Sequence, residues 1–215
     1  MSAITEEAFL APFSAACGRT EPPAEARPFD TAGGPHGDGA CADRTADELA
    51  QRFILEAKAA GIEAVRASAG DASRAVAALA RRMGAGSVVY ADDPAAAKLG
   101  LPAALADEGL DATRWDAANA ERSVSAAEKA AVGISFPFAG IAESATAVQA
   151  CDERCGRSVC LLPEAYIAVI RESALVPHMM QAMERAAQLF GEALPSHILF
   201  STGPSATSDI ELVHV

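Results

Sequence analysis

Aromatic residues are scarce in this chain: one Trp, two Tyr and eight Phe make up 5% of its 215 residues. The core must therefore be built from small and aliphatic side chains, which a 51% apolar content supplies. The many alanines favour helix, since Ala has the best intrinsic helix propensity. Positive charge is short as well. Seventeen Lys and Arg stand against 29 Asp and Glu, giving a net charge of −12 and a pI near 4.7. That balance argues against nucleic acid as a partner, because domains that bind polyanions present a basic face. The pair Arg81–Arg82 reads as a solvated helix end. No apolar run approaches the roughly 20 residues needed to span a bilayer. The first residues, MSAITEEAFLAPF, are acidic where a signal peptide is basic, so the expected location is the cytoplasm. Five cysteines, an odd number, fit reduced thiols better than a disulfide framework. No internal repeat is visible.

Two regions differ in character. Residues 1–44 read as an N-terminal helix over 4–17 followed by a loop or arm over 19–44, rich in Pro and Gly and without apolar period. Residues 45–215 read as one α/β domain. Thr45 and Glu48 have capping-box spacing, and Leu49, Phe53, Ala57 and Ala60 then line one helical face. Residues 62–67 are expected as a short strand, and Asp71 as the cap of the next helix. Residues 87–91 form a further strand. Asp93–Pro94 opens another helix with a cap and a proline at its first position. Broken helical pieces over 101–108, a weak strand over 112–116 with the sole Trp115, and a helix started by Ser125 and Glu128 follow.

The stretch 132–170 organises the rest. Residues 132–134 and 146–151 read as strands, and 152–157 as a charged turn from which 158–162 returns as the second arm of a hairpin. Residues 165–170, AYIAVI, lack polar alternation, as a strand covered on both faces does. A helix from Pro177 to Gly191 should bury Met179, Met183, Ala186, Ala187 and Phe190, and a strand over 197–201 follows. This order predicts an α/β fold: an open, mainly parallel sheet with helices on both faces and one β-hairpin insertion.

Two polar clusters follow strands, where open α/β sheets bind ligands. The first is Glu143-Ser144-Ala145-Thr146, in which a partly buried carboxylate can act as base or nucleophile; the bland alternative is a turn whose carboxylate takes a backbone N–H. The second runs from Ser201 through Gly203, Pro204, Ser205 and Thr207 to Asp209. Its hydroxyls and N–H groups suit an anion nest, although it lacks the lysine of a P-loop and an ordinary turn has the same composition. Cys151, Cys155 and Cys160 do not have the paired spacing of a zinc site, and Cys151 and Cys160 are expected to face each other across the hairpin as small apolar residues. No metal site is expected. His178 and His197 are candidates by position only.

The segments GIAESAT, VCLLPEAYIAVI and STGPSATSDIE, with EKAAVGIS and LPAALADEGL before them, resemble the LUD-domain family that includes lactate-utilization protein C. The resemblance implies a NagB/RpiA/CoA-transferase-like fold and a part in the oxidation of L-lactate to pyruvate with iron–sulfur partner proteins. It implies that the clusters sit on those partners, with no cofactor in this chain. It also implies site residues: Glu143 as the catalytic candidate, and Ser144, Thr146, Gly203, Pro204, Ser205, Thr207 and Asp209 around a small carboxylate or other anionic ligand. The family usually has Gly where Ala145 stands and often His where Tyr166 stands, and its closing Gly-Val-His-Gly-Pro is missing here. The alternative reading is a stand-alone enzyme or a ligand-binding regulator acting on a sugar phosphate or acyl-CoA through Glu143. A monomer or a dimer fits the composition equally.

Overall fold

The computed structural model describes residues 44–204. The expected helix over 4–17, the arm, and Ser205, Thr207 and Asp209 lie outside the described residues. Helix α1 (Ala46–Ala59) starts at the expected capping box. The Thr45 side chain accepts from the Glu48 N–H, and the Glu48 carboxylate accepts from the Thr45 N–H at 2.7 Å. The residues after it, 62–67, form no strand. Val65 is exposed, and Arg66 is held by ion pairs to Asp47 (2.7 Å) and Glu172 (2.6 Å) rather than by a sheet partner. Helix α2 (Ala72–Arg82) begins at Asp71, whose carboxylate is bound by Ser68 and Arg74 and does not cap the helix.

Strand β1 (Ser87–Tyr90) leads through α3 (Pro94–Lys98) and α4 (Leu101–Asp107) to β2 (Asp111–Arg114). The Asp93 carboxylate accepts from the Ala95 N–H at 2.7 Å, as the Asp-Pro dipeptide predicted. Helix α5 (Ala120–Lys129) precedes β3 (Val132–Ser135). Ser125 and Glu128 lie inside α5 and do not start it; its entry is a 3-10 turn in which Asp116 caps the Ala118 N–H at 3.0 Å.

Strands β2, β1, β3 and β6 (Ala165–Ala168) form a fully parallel sheet in that order. Helices cover both of its faces. On one, α2, α3 and α4 bury Ala77, Ala80, Ala96, Leu101 and Leu105 against Val88, Val132 and Ile134. On the other, Ala127 of α5 and Val159 of α6 (Arg157–Leu161) lie over Val89 and Ala91. Alanine-rich helices lie low on the sheet, which is how a chain with few aromatics fills its core. Helix α6 is packed closest: a Cβ at Gly133 in β3 would stand 1.9 Å from the Val159 carbonyl oxygen.

Helix α6 also corrects an expectation. Residues 158–162 are not the second arm of a hairpin. Asp152 accepts from the Arg154 and Cys155 N–H groups, Gly156 takes an extended conformation as N-cap, and the helix follows. A short apolar run suits a buried strand and a buried helical turn equally, so its pattern does not choose. With no hairpin there, Cys151 and Cys160 do not face each other across one. Cys151 lies opposite His197 in a strand pair, and Cys160 hydrogen-bonds Cys155. Those two thiols occupy the positions on either side of the helix start at which a hydrophobic staple packs. The hydrogen bond from Cys160, and then burial, push the Cys155 thiol well above its ordinary range.

The hairpin lies earlier, in a second, mixed sheet of order β7-β4-β5-β8. Strands β4 (Ala139–Ile141) and β5 (Thr146–Cys151) pair antiparallel, with β7 (Leu175–Val176) parallel to β4 and β8 (His197–Ser201) antiparallel to β5. All six residues of β5 are buried, so the strand covered on both faces is β5. The AYIAVI strand, β6, is an edge strand of the first sheet and only half-buried. Helix α7 (Met179–Phe190) packs on the second sheet through Ala182 and Ala186, with Phe190 edge-on to Phe138 at 5.3 Å. Met179, Met183 and Ala187, expected in the core, are exposed. A buried polar chain joins the two sheets. The Ser135 hydroxyl donates to Gln149 Oε1 at 2.7 Å, and Tyr166 shares a 2.7 Å hydrogen bond with the same hydroxyl.

Candidate functional site

The loop of the β4–β5 hairpin is residues 142–145, so it carries Glu143, Ser144 and Ala145 and delivers Thr146 as the first residue of β5. Strand registers decide what faces this loop. Ile141 stands beside Val176 in the parallel β4–β7 pair. The Ala142 N–H donates to the Val176 carbonyl at 2.8 Å and the Glu143 N–H to the Pro177 carbonyl at 3.2 Å. Two residues beyond each matched strand position come Glu143 and His178, and the His178 Nδ1–H donates to Glu143 Oε2 at 2.6 Å. The two side chains are 30% and 16% exposed, so the pair is sheltered but reachable. Beside this contact the Leu175 side chain packs over Gly140, where a Cβ would lie 2.8 Å from Leu175 Cδ2.

The other register supplies hydroxyls. Ala147 faces Ser201 in the antiparallel β5–β8 pair, which puts Thr146 across from Thr202. Their hydroxyls hydrogen-bond, and the Ser144 hydroxyl joins Thr146 Oγ1 at 2.7 Å. A carboxylate–imidazole pair and a ladder of three hydroxyls thus occupy one end of the second sheet. Such a contact fixes the imidazole's orientation. The hydroxyls both donate and accept, and so suit a carboxylate or hydroxyl of a small ligand.

Ala145 sits in the middle of this loop at φ +50°, buried to 2%. It holds a left-handed conformation that glycine adopts freely, and a side chain with only a Cβ tolerates it at a cost of about 1–2 kcal/mol.

Of the residues singled out from the sequence, Glu143, Ser144 and Thr146 come together. Gly203 and Pro204 pack by the end of α1: a Cβ on Gly203 would stand 3.2 Å from the Ala60 carbonyl, and Pro204 borders Gly61. Thr202 is the addition, and His178, a candidate by position only, gains a partner in Glu143. His178 follows a two-residue strand, too short to show a period, and Thr202 is placed by a register that spans more than 50 residues of chain. A proline after the apolar pair Leu175–Val176 is the one local hint of a strand ending there.

Residues 50–215 match the family model described as the LUD domain. The chain belongs to the LUD-domain family. Its relatives include proteins named lactate utilization protein C. That of Bacillus velezensis is 45% identical over 108 residues, covering 49% of this chain and 45% of its own. That of Bacillus subtilis is 39% identical over 137 residues, covering 61% and 57%. That of a Geobacillus species is 34% identical over 172 residues, covering 77% and 71%. The chain thus spans only 45% to 58% of the length of the first of these relatives. A DUF162 family protein from Deinococcus radiodurans, solved by crystallography, has the same fold, with a TM-score of 0.57 at 21% identity over 74% of this chain and 90% of that one. Among the described residues no helix is long and apolar enough to cross a membrane.

Proposed function

We propose that this LUD-domain protein serves in L-lactate utilisation, as the component that holds a small hydroxy- or keto-carboxylate beside Glu143 and His178 while iron–sulfur proteins carry the electrons. The observation that carries the site is the 2.6 Å Glu143–His178 contact next to the Ser144–Thr146–Thr202 hydroxyls. The names of the relatives support the pathway. Converting L-lactate to pyruvate removes two electrons and two protons. An imidazole fixed by a carboxylate is suited to take the proton of the C2 hydroxyl. The C2 hydrogen leaves with its electron pair to an acceptor on the partner proteins, which passes the electrons to their clusters and releases the second proton. Three hydroxyls are a neutral cradle for the ligand's carboxylate, adding no charge to a chain that is already strongly acidic.

The test is genetic and biochemical. Deleting the gene in a strain without a duplicate should abolish growth on L-lactate, and a tagged copy should bring down iron and lactate-dependent dye reduction. Glu143→Gln and His178→Ala should restore neither growth nor dye reduction, although both proteins fold. Full complementation by both variants would remove the pair from the function; unchanged growth after deletion would remove the pathway.

A further inference from the structure

A cleft of about 440 Å³ opens at the carboxyl ends of β1 and β2, made of residues that the Glu143 site does not use. Tyr90, Asp92, Asp93, Arg114 and Arg154 supply its polar groups, and Pro94 and Pro102 with neighbouring alanines supply an apolar wall. Open α/β sheets bind ligands outside the carboxyl ends of their strands, and this cleft lies at two of those ends.

The charges in the cleft are committed unequally. Asp93 uses one oxygen to cap α3, and Asp92 pairs with Arg114 at 3.0 Å. The Asp92 N–H donates to the Arg154 carbonyl at 2.8 Å, which fastens the loop after β5 over the end of β1. Arg154 lines the cleft, and its guanidinium has no hydrogen-bond or ion-pair partner among the described residues. Guanidinium forks match the oxygens of phosphate, and the remaining carboxylate oxygens accept from hydroxyl groups. The volume lies within the roughly 300–1,000 Å³ of small-molecule sites and is several times what a three-carbon acid fills.

We infer that this cleft binds a phosphate ester bearing free hydroxyl groups, of about nucleotide size, with Arg154 and Arg114 on the phosphate and Asp92 and Asp93 on the hydroxyls. The site is separate from the one proposed for lactate utilisation, and neither depends on the other. Trp115, the sole tryptophan, directly follows Arg114 and lies buried against Gly156, outside the cleft lining, so its fluorescence is an indirect readout beside Tm.

The full chain should be titrated at constant ionic strength with AMP and glycerol 3-phosphate, with adenosine, glycerol and inorganic phosphate as controls. Tm and Trp115 fluorescence are the readouts. AMP should raise Tm and change the fluorescence saturably, as a ligand of the folded state must. Arg154→Ala should weaken it by about tenfold or more, the size of a lost charge-assisted hydrogen bond. Arg157→Ala, an exposed arginine outside the cleft, should leave binding unchanged. Three results would each overturn the inference: no response to either ester at millimolar concentration, equal binding in Arg154→Ala, or inorganic phosphate binding as tightly as AMP.

Discussion

Replacing Gly133 by Ala tests how closely α6 lies on the parallel sheet. The added Cβ would meet the Val159 carbonyl oxygen at 1.9 Å and Pro163 Cγ at 3.0 Å, and ordinary contact begins at 3.4 Å. The first neighbour is backbone, so no rotamer change relieves the clash; the helix must retreat from β3 by about 1.5 Å. Overpacking by one methyl costs about 1–3 kcal/mol where side chains can yield. Here the retreat also loosens Val159, which is fully buried and contributes about 1.5–3 kcal/mol by that burial. A loss of at least about 3 kcal/mol follows, a large share of the roughly 5–15 kcal/mol that holds a domain together. In urea denaturation followed by Trp115 fluorescence, with a slope of about 2 kcal/mol/M, the midpoint should fall by about 1.5 M or the chain should fail to fold. Gly86→Ala is the internal control. Nothing lies within 4 Å of its Cβ and its φ is not positive, so its effect should stay within about 1 kcal/mol and tend toward stabilisation. A Gly133→Ala midpoint within about 0.3 M of wild type would refute the packing argument.

Two further outcomes follow from the site loop and the surface charges. Ala145→Gly should change stability by less than about 1 kcal/mol, since relief of the left-handed conformation is offset by glycine's chain entropy and the lost buried methyl. Ala145→Val, β-branched at φ +50°, should cost more than about 2 kcal/mol in the same urea assay, and a neutral result would mean the loop is not held in that conformation. The hydrogen bonds and charge of Arg66 hold the carboxyls of Asp47 and Glu172 below their usual range. A depressed carboxylate pKa gives stability that is present above the unfolded value and lost as pH falls through the folded one. The Tm gap between wild type and Arg66→Ala should therefore narrow as pH drops from about 5 toward 3; a constant gap would contradict this linkage.

The features legible in the sequence are those written within a few consecutive residues. The Thr45–Glu48 capping box and the Asp93–Pro94 helix start formed as expected, because each depends on a side chain meeting a backbone group two or three positions away. The parallel strands at 87–90 and 132–135, both faces of helices, and the Glu143–Thr146 loop were marked by apolar runs bounded by turns. Local pattern misled where it was ambiguous, at 158–162, because an apolar run suits a buried helical turn as well as a strand. It was silent where contact depends on register. Nothing near His178 in sequence names Glu143, which lies 35 residues away; the two meet because β7 aligns with β4. Thr202 joins Thr146 through the β5–β8 ladder, and Arg154 reaches the cleft because its carbonyl holds the end of β1. The sequence by itself determined the element starts written as local caps, at Thr45 and Asp93, since those forces act within one turn. Which distant side chains share a site was decided only by the tertiary pairing of strands, because a shift of one residue in register would place every one of them on the other face.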